Sequence, residues 1–250
     1  MFQPVIIAFD LFGTILSTAS IARSLADLYG PETAQKVADI ARTLQLEYTW
    51  RANSMGVYEP LDDLTRHSFR EAVVAAGCSS ALSSSQEDVI MRAYDRLDLF
   101  PDVRSGLERL VKDGVDAWAF SNGTRSMMQA TLSSAAASAS PDGDLVGRVF
   151  PTRKMVSVDD VGVFKPHPSA YQYMREVVEG VDSHGKALWL VSSNPFDVVG
   201  ATAAGYWTAW IDRNGKGWVD GLGSAMNMGP TVVVGGMDEA VKAILEYTGY

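Results

Sequence analysis

The sequence predicts an α/β protein: a Rossmann-like three-layer core with a mostly parallel sheet, interrupted by an inserted helical cap. Three observations carry that prediction. Short apolar runs that end in polar turns recur at Val5 to Phe9, Val115 to Phe120 and Ala187 to Val191, the pattern of strands buried on both faces. After Pro101 strand-like and helix-like segments alternate, and alternating βα units imply a parallel sheet covered by helices. Between residues 19 and 98 apolar positions recur at helical spacing instead.

In chain order, Val5 to Phe9 is rich in β-branched residues and is punctuated by Gly13-Thr14, which leaves Asp10 at the strand's carboxyl tip. Four helices and no strand are expected next. Gly30-Pro31 separates the first from the second, whose apolar face includes Val37, Ile40, Ala41 and Leu44. Leu61, Leu64, Phe69, Ala72 and Val73 mark the third. Val89, Ile90, Tyr94 and Leu97 mark the fourth, with an N-cap from the serine run at 83 to 85. A helix from Val103 to Val111 ends at Gly114, a strand runs from Val115 to Phe120, and Ser121-Asn122-Gly123 opens another helix. The Ala/Ser-biased stretch from Ser133 to Ser140 reads as a helix end running into a loop at Pro141-Asp142-Gly143. Strands at Ala187 to Val191, Trp207 to Ile211 and Thr231 to Val234 follow, and a helix from Asp238 to Tyr247 closes the series. The core is therefore expected over residues 1–16 and 100–250, with the cap over 17–99.

Composition narrows the chemistry. The 250 residues, 47% of them apolar, can bury a sizeable core. Thirty acids against 21 bases give a net charge of −9, which argues against a nucleic-acid or anionic-membrane surface and leaves a small-molecule substrate. The single cysteine, Cys78, excludes an internal disulfide and a thiolate-built zinc site, and three histidines, His67, His167 and His184, are few for a multi-histidine metal centre. The apolar start lacks a basic region and a cleavage site, and no run approaches the roughly 18 apolar residues of a membrane helix. A soluble, cytoplasmic enzyme working through carboxylates, hydroxyls, amides and a few cations is the expectation.

In open α/β sheets ligands bind outside the carboxyl ends of the strands. Three such ends carry polar groups here: Asp10 with Thr14, Ser121 with Asn122, and Ser192, Ser193 and Asn194 with Asp197. Lys165, in Val-Phe-Lys-Pro-His-Pro, adds a cation beside prolines. Singly, each is equally a turn former or cap; together they point to one site.

These residues resemble the haloacid dehalogenase superfamily and, within it, the L-2-haloacid dehalogenase branch. The matching segments are Phe-Asp-Leu-Phe-Gly-Thr at 9–14, Gln-Leu-Glu-Tyr-Thr-Trp at 45–50, Phe-Ser-Asn-Gly at 120–123, Lys-Pro at 165–166 with Tyr171, and Val-Ser-Ser-Asn-Pro-Phe-Asp at 191–197. The resemblance implies a nucleophilic Asp10, a covalent ester on it, and hydrolysis of that ester by water. Lys165 is then the cation that keeps Asp10 ionised. Asp197 holds Lys165 or orients the water, and Asn194 and Tyr171 support this shell. Ser121, Asn122, Ser192 and nearby backbone N–H groups donate to the leaving halide and substrate carboxylate, and Thr14 binds the Asp10 carboxylate or caps the turn. Homodimers are frequent in this branch, and no cofactor is implied.

Phosphatases of the superfamily carry a second aspartate two residues after the nucleophile; here Phe12 stands there. Magnesium needs octahedral oxygen ligation, and Asp10 with Asp197 supplies little of it, so metal-independent displacement at carbon is preferred to phosphoryl transfer. Two departures from the branch touch substrate recognition. Its halide-binding arginine is expected two residues after Tyr-Thr-Trp, where Ala52 stands, so Arg51 either substitutes for it or is a solvated surface arginine. Leu61 replaces an aromatic contact. A related hydrolase acting on another electrophile, a magnesium-dependent phosphatase and a catalytically silent binding protein are the alternatives.

Overall fold

The computed structural model describes residues 5–78, 81–139, 145–180 and 187–249; Pro141-Asp142-Gly143 and His184 lie outside them. In chain order the elements are β1 (Val5–Phe9), β2 (Leu16–Ser17), α1 (Ile21–Tyr29), α2 (Pro31–Met55), α3 (Leu61–Ala75), α4 (Ser84–Tyr94), β3 (Asp98–Leu99), α5 (Val103–Lys112) and β4 (Asp116–Ser121). They continue with α6 (Arg125–Ala139), α7 (Leu145–Val149), β5 (Met155–Ser157), α8 (Pro168–Glu179), β6 (Ala187–Ser192), α9 (Pro195–Ala203), β7 (Trp207–Ile211), α10 (Gly221–Ala225), β8 (Val232–Val234) and α11 (Met237–Thr248).

Six strands form one parallel sheet in the order β5-β4-β1-β6-β7-β8. All five residues of β1 and all six of β6 are buried, which accounts for their unbroken apolar runs: a strand covered on both faces has no solvent side to keep polar. The chain lays down β4 and then β5 on one side of β1, and returns to the other side for β6, β7 and β8. That reversal beside β1 is a topological switch point, where the flanking connections diverge and open a crevice at the carboxyl ends.

Helices α1–α4 occupy the interval between β1 and β4, as the helical spacing predicts. Pro31 starts α2 at its first position, where a missing N–H costs nothing, and left-handed Gly56 ends it. At α4, Ser83 and Gln86 form a reciprocal capping box. The expectation of no strand in this stretch is corrected at its edges. Leu16 pairs with Leu99 and Ser17 with Asp98 in an antiparallel ladder, so the chain leaves for the helices and returns from them side by side. Also beyond the sequence reading are β5, whose three residues are too short to show a period, and α8. Among the described residues no helix is long and apolar enough to cross a membrane.

Candidate active site

Asp10 follows the last residue of β1 and is 6% exposed. After it the chain folds back tightly: the N–H groups of Thr14, Ile15 and Leu16 all donate to the Leu11 carbonyl, at 3.1, 2.9 and 2.9 Å. Gly13 makes the turn at φ +90°, a conformation that only glycine adopts without penalty. The turn brings the Thr14 hydroxyl to Asp10 Oδ2 at 2.8 Å. From the loop after β6, Asn194 Nδ2 donates to the same oxygen at 2.7 Å. Lys165 Nζ donates to Oδ1 at 3.2 Å.

Lys165 is 1% exposed. Its three donors go to Asp10, Asp197 Oδ2 at 3.0 Å and the Phe120 carbonyl at 2.7 Å, which satisfies an ammonium completely. The Nζ also lies 4.1 Å from the centroid of the Phe120 ring. Asp197, on the first turn of α9, is fully buried and accepts from the Tyr171 hydroxyl at 2.8 Å. Burial pushes its carboxyl up to about 6; Lys165 opposes the shift and Asp10 adds to it. Burial and Asp197 together raise the Tyr171 hydroxyl well above its ordinary range, so Tyr171 stays protonated and serves as a donor.

Of the remaining strand ends, Ser121 and Asn122 line the cavity, and Ser192 is buried behind it. Ser192 Oγ accepts the Asn194 N–H at 3.1 Å and lies 3.4 Å from the Thr14 hydroxyl. Ser121 Oγ accepts the Gly123 N–H at 3.0 Å, which leaves its own hydrogen to donate. Asn122 Oδ1 accepts the Lys165 N–H at 2.9 Å, which turns its amide N–H₂ elsewhere. Behind the loops, Arg213 donates to the Thr14 carbonyl and the Ser193 hydroxyl, each at 2.9 Å, and pairs with Asp102 at 2.7 Å.

A cavity of about 20 Å³ opens in front of Asp10, lined by Phe12, Leu46, Thr49, Leu61, Ser121, Asn122, Asn194 and Phe196 and by two residues of α2, Arg42 and Gln45. On the same measure one water needs roughly 10–15 Å³, so the cavity has room for about one water molecule. Arg42 donates to the Phe12 carbonyl at 3.1 Å, to Asn194 Oδ1 at 3.3 Å and to Gln45 Oε1 at 2.7 Å. Gln45 is buried and anchored in turn to Thr65 and Tyr94.

Of the residues expected from sequence, Asp10, Lys165, Asp197, Asn194, Ser192, Thr14 and Tyr171 form one buried network, and Ser121 and Asn122 line the cavity. Thr14 and Tyr171 stand behind the two carboxylates rather than in the cavity wall. Arg51 is a correction: its side chain is 61% exposed, pairs with Glu47 at 3.3 Å and lies over the Tyr48 ring. The cation over the cavity is Arg42. Nine helical residues separate the two, about 900° of rotation, so Arg51 is on the opposite face of α2. Arg42, Gln45 and Thr49 fall on one face at i, i+3 and i+7, and that spacing of polar residues within a buried stripe is the signal that could have found them. Trp50 is 41% exposed and meets Phe196 of α9 edge-on at 5.6 Å.

Among the described residues no cluster of three His, Cys, Asp or Glu side chains is arranged to hold a metal. The two carboxylates that come together are already bridged by Lys165, and Phe12 offers no side-chain oxygen two residues after Asp10. His167 Nδ1 caps α8 by accepting the Ser169 N–H at 3.2 Å.

A family model described as haloacid dehalogenase-like hydrolase matches residues 5–205. The chain belongs to this family. This haloacid dehalogenase-like hydrolase is 31% identical over 241 residues to haloacetate dehalogenase H-2 of Moraxella sp. (strain B), covering 95% of this chain and 96% of that protein. It is 29% identical to (S)-2-haloacid dehalogenase 2 of Pseudomonas sp. (strain CBS-3), over 93% and 92% of the two chains. Its fold matches the solved L-2-haloacid dehalogenase of Xanthobacter autotrophicus with a TM-score of 0.77 at 26% identity, over 97% and 98% of the chains. A second structure of that Xanthobacter enzyme, equally similar, carries covalently bound chloropropionic acid.

Proposed function

We propose that this hydrolase cleaves the carbon–halogen bond of short 2-haloacids through an ester on Asp10, without a metal, and gives 2-hydroxy acids of inverted configuration. The reading rests above all on one observation: a buried carboxylate, its charge held by Lys165, Thr14 and Asn194, faces a small, partly apolar cavity whose cation is Arg42. A carboxylate is a weak nucleophile in water. Here burial removes its hydration shell while three fixed donors aim it. The names of the relatives, which specify haloacetate and (S)-2-haloacids, agree with that chemistry.

In the first step an Asp10 oxygen bonds to C2 as the carbon–halogen bond breaks, and the halide leaves with the electron pair. Attack opposite the leaving group inverts C2. Arg42 and the Asn122 amide are the donors for the departing anion, and the Ser121 hydroxyl and adjacent N–H groups hold the substrate carboxylate. In the second step water adds to the Asp10 carbonyl carbon, with Asp197 orienting it. The bond from that carbon to the substrate oxygen breaks, one proton of the water passes to that oxygen to give the 2-hydroxy acid, the other is released as Asp10 returns to a carboxylate, and C2 keeps its new configuration. Residues 17–99 act as the cap and 1–16 with 100–250 as the hydrolase core.

A magnesium-dependent phosphatase is the weaker reading, because Phe12 stands where its acid would and Lys165 occupies both site carboxylates. Halide release from L-2-chloropropionate in the presence of a chelator is the test. In a single turnover in ¹⁸O-water with enzyme in excess, the label enters the peptide bearing Asp10 and not the product. Absence of halide release from every short 2-haloacid, or label appearing first in the product, would overturn the proposal.

A further inference from the structure

The residue before Lys165 is gripped from the helical segment. Asn53, on the last turns of α2, donates from Nδ2 to the Phe164 carbonyl at 2.7 Å and accepts the Phe164 N–H on Oδ1 at 2.9 Å. An asparagine amide carries the donor and acceptor of a peptide group, so it can satisfy both backbone groups of one residue; aspartate lacks the donor. Tyr58, just beyond α2, stacks on the Phe164 ring at 4.9 Å and donates to Asp159 Oδ1 at 2.7 Å. The next N–H, that of Lys165, is held from the other side by Asn122 of the core. The backbone that carries the buried ammonium is therefore fixed jointly by α2 and by the loop after β4.

We infer that Asn53 is a positioning residue for Lys165: seating of the helical segment over the cavity and placement of the ammonium between Asp10 and Asp197 are one event. The inference rests on the proposed role of Lys165 beside the nucleophile. Asn53 touches neither the cavity nor the carboxylates, and it acts through two hydrogen bonds to the backbone of Phe164, the residue before the lysine. With the segment lifted, Phe164 loses both partners, and the 1%-exposed Lys165 loses the constraint that keeps its Nζ within 3.2 Å of both carboxylates.

The test compares wild type with Asn53→Ala and with Asn53→Asp, which keeps the acceptor and removes the donor. Two quantities are read: halide release from L-2-chloropropionate across pH, and labelling of Lys165 by reductive methylation, located by peptide mass spectrometry. Asn53→Ala is expected to lower kcat about tenfold with KM within threefold, to move the acid limb of kcat to higher pH as Asp197 loses part of its cation, and to raise Lys165 labelling. Asn53→Asp should fall between the two and keeps the comparison available if the alanine variant does not fold. A purely structural tie would lower the melting temperature and leave the pH limb and the KM-to-kcat split unchanged. Wild-type kcat, pH limb and Lys165 labelling in both variants would overturn the inference. If wild type releases no halide, the functional proposal fails, and the labelling result decides the positioning role independently.

Discussion

Replacing Arg42 with alanine separates its chemical role from its structural one. Two of its three acceptors are covered without it: the Phe12 carbonyl still accepts from Asn194 Nδ2 at 3.0 Å, and Gln45 Oε1 keeps the Tyr94 hydroxyl at 3.2 Å, while Asn194 Oδ1 loses its Arg42 donor. The stability cost should therefore be about 1 kcal/mol, the net worth of one ordinary hydrogen bond. The catalytic cost is larger. A full charge about 4 Å from the guanidinium, at an effective dielectric of about 20, is worth about 4 kcal/mol, and a half-developed charge on the leaving halide about 2. At about 1.4 kcal/mol per decade, that is a loss of roughly 30- to 1000-fold in kcat/KM. Initial-rate halide release alongside urea unfolding reads both numbers. A kcat/KM within threefold of wild type, in a protein as stable as wild type, would refute Arg42 as the group that receives the leaving anion.

Three further outcomes are expected. Because Asp197 is pushed up to about 6, kcat should fall about tenfold per pH unit below that value as it protonates and Lys165 loses a partner; a flat profile down to pH 5 contradicts this. The same shift has the opposite sign for stability: the folded chain holds a proton that the unfolded one has released, so this contribution is full below about pH 4 and is lost as pH rises through about 6. Lys165→Met leaves two carboxylates buried together and should destabilise by about 3–5 kcal/mol; a urea midpoint equal to wild type would show that the ammonium is not holding them. At Gly200 an added Cβ would lie 2.5 Å from the Tyr171 hydroxyl and 2.6 Å from Pro166 Cβ. Gly200→Ala should therefore cost about 1–3 kcal/mol by overpacking, measured by thermal or urea unfolding, and an unchanged midpoint would disprove the close fit.

The candidate site is legible in the sequence wherever its residues stand at strand ends. A buried parallel strand announces itself as an apolar run, so the first polar residues after it, Asp10, Ser121 and Ser192 with Asn194, are marked by contrast, and switch-point topology makes them converge. Lys165 stands out as an isolated cation followed by Pro166 and Pro168. Arg42 carries no such contrast: it is one arginine within a 25-residue helix of mixed character, and only its rotation relative to Gln45 and Thr49 distinguishes it from Arg51. The ladder of β2 with β3 and the strand β5 span two or three residues, fewer than any periodicity can register. The grip of Asn53 on Phe164 crosses 111 residues of sequence and leaves no local trace.

The ladder between Leu16–Ser17 and Asp98–Leu99 makes the whole helical segment, in polymer terms, a closed loop with adjoining ends. Closing such a loop costs only about 0.6 kcal/mol more for each doubling of its length, so its contents can change at little cost in chain entropy. Asp10, Lys165 and Asp197 belong to the sheet side, while Arg42, Gln45, Leu46, Thr49 and Leu61 belong to the loop. The cavity lining can therefore be rebuilt within the loop, provided that Asn53 keeps its hold on the Phe164 backbone and Arg42 its hold on the Phe12 carbonyl.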